Sequence, residues 1–122
     1  MKKLMFVDDE ESIRLLYKEE FEEKGFNVVL AANGEEALGL FDVAQPDLVV
    51  IDIKMPGMDG IELLKKLREK SREVPAILCT AYGEYKQNFE TWASDAYIVK
   101  SSRLEGLFEK VNELLSRKKA VR

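Results

Sequence analysis

The chain has 122 residues, with 23 acidic against 19 basic side chains and a formal charge of -4. That length suits one compact domain burying roughly two thirds of its unfolded surface, and the acidic balance offers no footprint for a nucleic-acid backbone. No apolar run nears the roughly 20 residues that cross a bilayer, and Met1-Lys2-Lys3 leads into only four apolar residues before Asp8, too few for a secretory signal; a cytoplasmic protein with neither membrane nor nucleic acid as partner is expected.

Leu4 to Val7 is a strand-like apolar run that ends in the acidic stretch Asp8, Asp9, Glu10, Glu11. Ser12 to Lys24 then places Ile13, Leu16, Tyr17 and Phe21 on one helical face, with Leu15 off it and Gly25 as the stop. Asn27 to Ala31 is a second strand, and Asn33 with Glu36 opens a helix to about Phe41. Leu48 to Ile51 is a third strand, followed at once by Asp52; Asp59 can cap a helix over Ile61 to Lys70.

Ala76 to Cys79 is a fourth strand, with Thr80 after it, and Glu84 to Ala93 is a weakly patterned helix. Cys79, the single cysteine, reads as a buried core thiol; the chain has no histidine to activate it. Ala96 to Val99 is a fifth strand ending at Lys100. Ser102 and Glu105 have capping-box spacing before a stripe of Leu107, Phe108, Val111, Leu114 and Leu115, and a basic tail over about 117–122 suits fraying or a link. Strands that are apolar throughout suit a sheet covered on both faces. Five strands alternating with five helices predict one α/β domain over residues 1–122: a doubly wound five-stranded parallel sheet, (βα)5, in the flavodoxin-like order 2-1-3-4-5.

Such sheets bind ligands at the carboxyl ends of their strands, beside the switch point between the first and third. Asp8, Asp9, Asp52, Thr80 and Lys100 all follow strands and would meet there. Taken singly, each has an ordinary structural role: acids favour a helix start, Thr80 suits a strand, and Lys100 suits a surface ion pair. Asp52 fits that account least, because an unpaired buried carboxylate is costly. Three clustered carboxylates repel, and a hard divalent cation with oxygen ligands, Mg²⁺ by preference, relieves them. Lys100 and the Thr80 hydroxyl would then serve an anionic group beside the metal.

The segments "VDDEE", "PDLVVIDIKMPGMDG", "AILCTAYGE" and "DAYIVK" stand in this order over the whole chain. In them the sequence resembles the receiver domains of bacterial response regulators, which have the CheY-like fold; "KMPGMDGIELLK" and "TAYGE" are especially similar to sporulation phosphorelay receivers. The resemblance implies that Asp52 accepts a phosphoryl group from a phosphohistidine on a sensor histidine kinase or histidine phosphotransferase. It implies Mg²⁺ ligation by Asp8, Asp9, Asp52 and the backbone carbonyl of Lys54. Lys100 and Thr80 would contact the phosphoryl oxygens, and Thr80 with Tyr97 would switch the surface read by a downstream protein.

Such a chain catalyses only its own phosphorylation and dephosphorylation, and Lys54 and Tyr82 would flank the path of hydrolytic water and tune its rate. Ile13, Met55 and Pro56 would meet the donor. Two departures stand out: Ser101 replaces the usual proline after Lys100, for which a trans Lys100–Ser101 peptide is expected, and Ala93, preceded by Trp92, replaces the usual glycine. Three other functions share parts of this pattern. A flavodoxin would repel its flavin phosphate with "DDEES"; an aspartyl-nucleophile phosphohydrolase would need a second acid where Lys54 stands; a degenerate receiver serving as a scaffold would not need all five polar residues.

Overall fold

A computed structural model describes residues 1–80, 95–99 and 104–121. Five parallel strands, β1 (Lys3–Val7), β2 (Asn27–Ala31), β3 (Leu48–Asp52), β4 (Ala76–Thr80) and β5 (Ala96–Val99), form one sheet in the order β2-β1-β3-β4-β5. Four helices are described: α1 (Glu11–Glu23), α2 (Gly34–Ala44), α3 (Gly60–Lys70) and α4 (Glu105–Val121). The helix expected over 84–93, Ser102 and the Lys100–Ser101 peptide lie outside the described residues.

The strands are as expected to within one residue, with Asp52 and Thr80 as the last residues of β3 and β4 rather than the first beyond them. Parallel strands covered on both faces need unbroken apolar runs, and β3 and β4 are buried along their whole length. On one face Met5, Val49, Ile51 and Leu78 pack against Ala37, Phe41, Ile61 and Leu64 of α2 and α3. On the other Leu4, Phe6, Val50 and Ile77 meet Tyr17 and Phe21 of α1 and Val111 and Leu114 of α4. The Phe6 and Tyr17 rings stack there with centroids 4.7 Å apart. β2, at the edge, is only half-buried.

Local chemistry sets the helix ends. Asn33 Oδ1 accepts from Glu36 N at 2.8 Å while Glu36 Oε1 accepts from Ala32 N at 2.5 Å, a reciprocal cap that starts α2. Asp59 Oδ1 accepts from Glu62 N at 2.8 Å and starts α3. α1 begins at Glu11 with no side-chain cap, and its leading acid faces the positive end of the helix. α2 runs three residues past Phe41, because Gln45 ends it in the left-handed conformation, φ 49°. Leu16 was expected on the apolar face of α1 but is 40% exposed; it lies on the rim of a groove with Lys24, Leu104 and Phe108. The backbone of the basic tail continues α4 as far as Val121.

At the amino edge of the sheet Arg68 ties three segments together. Its Nη1 donates to the Val74 carbonyl at 2.7 Å, and its Nη2 donates at 3.1 Å to Asp95 Oδ2, which also accepts from Ala76 N at 2.8 Å. Arg68→Ala takes the guanidinium donor from the partly buried Val74 carbonyl, leaves Asp95 with only the Ala76 N–H, and is expected to cost about 1–2 kcal/mol in urea unfolding. Lys18→Ala, which removes only the exposed 2.7 Å pair with Glu22, should change stability by about 0.5 kcal/mol or less.

Candidate functional site

The carboxyl edge of β1 and β3 carries the acids. Asp8 extends the β1–β2 ladder, its N–H donating to Ala31 O at 3.1 Å, so its position is set by the sheet as well as by the loop. Its Oδ1 accepts from Glu10 N at 3.0 Å, closing an Asx turn, and Arg14 Nη1 donates to the Asp8 carbonyl at 2.8 Å. The turn therefore delivers Asp8 and Asp9 together at the start of α1.

Asp52 is held from both sides. The next residue, Ile53, donates its N–H to Cys79 O at 2.9 Å, which carries the β3–β4 ladder past the acid. The Ile53 carbonyl accepts from Gly60 N at 2.8 Å, closing the segment 54–59 into a short loop. Gly57, at φ 74°, makes a left-handed turn within it that a β-carbon would strain.

One carboxylate oxygen from each of Asp8, Asp9 and Asp52 lies within 4.8 Å of the others. Asp8 is 1% and Asp52 6% exposed, whereas Asp9 faces solvent. Like charges this close and this poorly hydrated repel, and a cation offsets them. The donors are all carboxylate oxygens, the chain has no histidine, and the cluster has one open, wet side. That set fits a hard, partly hydrated ion such as Mg²⁺ and not a soft metal.

Thr80, fully buried at the end of β4, stands one residue past Cys79, the register partner of Asp52. Tyr97 is in β5, paired with Leu78. Lys54 and Pro56 are exposed on the 54–59 loop, but Met55 is 8% exposed and packs into the core, so it supports that surface from beneath instead of presenting itself. Ile13 is half-buried near the start of α1. Lys100, Tyr82, Trp92 and Ala93 lie outside the described residues.

Three contributors are not evident from the sequence pattern. Arg14 reads as a solvated helix residue, Gly60 as a mere helix start, and Tyr17 as a core aromatic. Tyr17 is close enough to the site for its charges to act on it: burial first, then the charges of Cys79, Asp8 and Asp52, hold its phenol well above the usual tyrosine range. The available signal is its place four residues after Ile13, on the same face of α1.

An open, doubly wound α/β domain with an acidic cluster at its switch point is the class that fold and site define together. The chain belongs to the response regulator receiver domain family, which matches residues 4–112. Among its relatives is sporulation initiation phosphotransferase F of Bacillus subtilis, 45% identical over 82 residues, covering 67% of this chain and 66% of that protein. The response regulator TrrA of Thermotoga maritima, solved in complex with Mg²⁺ and BeF, is 46% identical at a TM-score of 0.90, over 93% of this chain and 99% of that one. TrrA has also been solved in complex with the histidine kinase ThkA, and there matches at a TM-score of 0.88 with 46% identity, over 94% and 99% of the two chains. The chain spans about two thirds or less of the first curated relatives it matches, down to 27% of the regulatory protein AtoC of Escherichia coli. No helix among the described residues is long and apolar enough to cross a membrane.

Proposed function

We propose that this chain is a single receiver domain over residues 1–122, with the complete (βα)5 alternation, that takes a phosphoryl group onto Asp52. The donor would be a phosphohistidine on a sensor histidine kinase or histidine phosphotransferase in the cytoplasm. The reading is carried by the convergence of three carboxylates, two of them buried, around the end of the central strand. In the transfer an Asp52 oxygen bonds to phosphorus as the phosphorus–nitrogen bond of the donor breaks, and the electron pair returns to the imidazole. Asp8, Asp9, Asp52 and the Lys54 carbonyl would hold Mg²⁺. When bound, that ion supplies positive charge that offsets the phosphoryl oxygens.

Asp52 acts as nucleophile, and its fixed β3 position limits the motion needed to reach the donor. Lys100 and Thr80 would take the phosphoryl oxygens, and movement of Thr80 with Tyr97 would bias a surface that a downstream protein reads. Ile13, in the first turn of α1, and Pro56, on the 54–59 loop, would contact the donor, with Met55 holding that loop in place. The reactions are confined to the chain's own phosphorylation and dephosphorylation. The test is intact-mass spectrometry after incubation with acetyl phosphate and Mg²⁺: one added phosphoryl group is expected, none when Mg²⁺ is chelated, and no addition in either case overturns the reading.

The lifetime of the phosphorylated form gives a separate expectation. Water must reach phosphorus opposite the Asp52 oxygen, past the side chains of Lys54 and Tyr82. Neither is a good general base, and a cation with a bulky ring excludes water better than it orients it. Combining Lys54→Asn with Tyr82→Glu should speed loss of the phosphoryl group from the purified phosphoprotein by about tenfold, less than the roughly 10²–10⁴-fold that a fully positioned acid–base group contributes. Mass spectra taken over the decay measure this, and an equal or slower decay removes the shielding role.

A further inference from the structure

Gly34 opens α2 at a position where backbone geometry requires no glycine. Its φ is not positive, and α2 begins there with an intact cap on either side. The backbone here would accept alanine, so the neighbours of the position in space decide what fits. A methyl group at Gly34 would lie 2.6 Å from Met58 Sδ and 3.2 Å from both Met58 Cβ and Cγ. Rotating the methionine side chain can relieve the contacts with Sδ and Cγ but not the one with Cβ, which is fixed to the backbone of the 54–59 loop. Gly39, in the same helix, has nothing within 4 Å of the corresponding position. The requirement is therefore spatial and local to Met58.

Met58 is partly buried against the core that contains Ala37, Ile53 and Met55. The 54–59 loop it belongs to is also closed by the backbone bond from Gly60 N to Ile53 O, by the Asp59 cap and by the packing of Met55 into the core. We propose that Gly34 and Met58 form a latch: the vacant side-chain position on α2 receives the methionine, seats the loop, and so positions the Lys54 carbonyl beside the acidic cluster. Gly34 is then a positioning residue acting through Met58, on an element that carries none of the acids. The inference rests on the proposed function for what the loop holds, and on the packing alone for how it is held.

The test compares Mg²⁺ binding by calorimetry, with acetyl-phosphate labelling rates alongside, in the wild-type chain, Gly34→Ala, Met58→Ala, their double variant and Gly39→Ala. Each of the first two single variants should weaken Mg²⁺ binding about tenfold, the lower range for loss of a group supporting a metal ligand. The double variant should bind no more weakly than Met58→Ala, since the new methyl then meets only the β-carbon of residue 58, at 3.2 Å, and no longer Sδ or Cγ. Gly39→Ala should bind as wild type. Losses that multiply in the double variant, or Gly34→Ala binding as wild type, overturn the latch. If Gly34→Ala does not fold, Met58→Ala, which opens space, decides by itself: unchanged binding overturns the proposal. A wild-type chain that takes up no Mg²⁺ defeats the functional reading first and the latch with it, whereas normal wild-type binding with unaffected variants defeats the latch alone.

Discussion

Asp52→Ala is expected to gain no phosphoryl group from acetyl phosphate and Mg²⁺ under conditions that label the wild-type chain once. Asp8 and Asp9 each have a carboxylate oxygen within 4.8 Å of one on Asp52, but neither can substitute for it. Asp8 has its Oδ1 engaged by Glu10 N and is 1% exposed, which leaves an incoming phosphorus little access. Asp9 is exposed, but sits on a loop without the β3 and β4 ladder that immobilises Asp52. A nucleophile in a phosphoryl transfer must lie in line with the leaving group, and an acid outside the sheet lacks the alignment that the β3–β4 ladder gives Asp52. Removal of the fixed acid therefore removes the reaction, and Asp8→Ala or Asp9→Ala should slow labelling through weaker metal binding without changing its site. A second measurement separates chemistry from folding: Mg²⁺ should raise the melting temperature of the wild-type chain by mass action and raise that of Asp52→Ala less. Intact mass showing equal labelling of Asp52→Ala would reassign the acceptor.

The elements that could be read from sequence are those whose signal is continuous along the chain. Apolar runs such as Leu48–Ile51 mark strands buried on both faces, and polar residues just beyond them mark the ligand edge, because strand direction is shared in a parallel sheet. Asp8, Asp9 and Asp52 were found in this way and do come together. The shortfalls occur where space or a single dihedral decides. The sequence pattern ends α2 at about Phe41, yet the helix continues to Ala44, where Gln45 takes the left-handed cap that glycine usually fills. Met55 was assigned to a surface because its loop is exposed, yet the turn at Gly57 lets that side chain face the core while Pro56 faces out. Arg14 reaches back six residues to the Asp8 carbonyl, a distance that no helical periodicity encodes. Gly34 and Gly60 look alike as helix starts, and only their neighbours in space distinguish what each accommodates.

Gly60→Ala is expected to be the most damaging small substitution near the site. A methyl group there would overlap the carbonyl oxygen of Asp52 and lie 2.7 Å from Ile53 Cα and 2.9 Å from Asp52 C. These are backbone atoms of Asp52, the last residue of β3, and of Ile53, whose N–H carries the ladder on to β4, and they cannot rotate away as the end of the methionine facing Gly34 can. Something must move, and either α3 retreats, breaking the 2.8 Å bond from Gly60 N to Ile53 O, or the end of β3 shifts and takes the Asp52 carboxylate with it. Forced overpacking of this kind costs about 1–3 kcal/mol, and the lost backbone bond at a buried helix start adds to it, so a destabilisation of about 3 kcal/mol is expected in urea unfolding. The same displacement should slow acetyl-phosphate labelling of the folded fraction by about a hundredfold, since a shift of about 1 Å in a reacting group has that effect. Stability alone would not produce this second result, provided labelling is measured where circular dichroism shows the variant folded. Wild-type stability and labelling in Gly60→Ala would mean that α3 does not lie against the acceptor as closely as the packing around Asp52 requires.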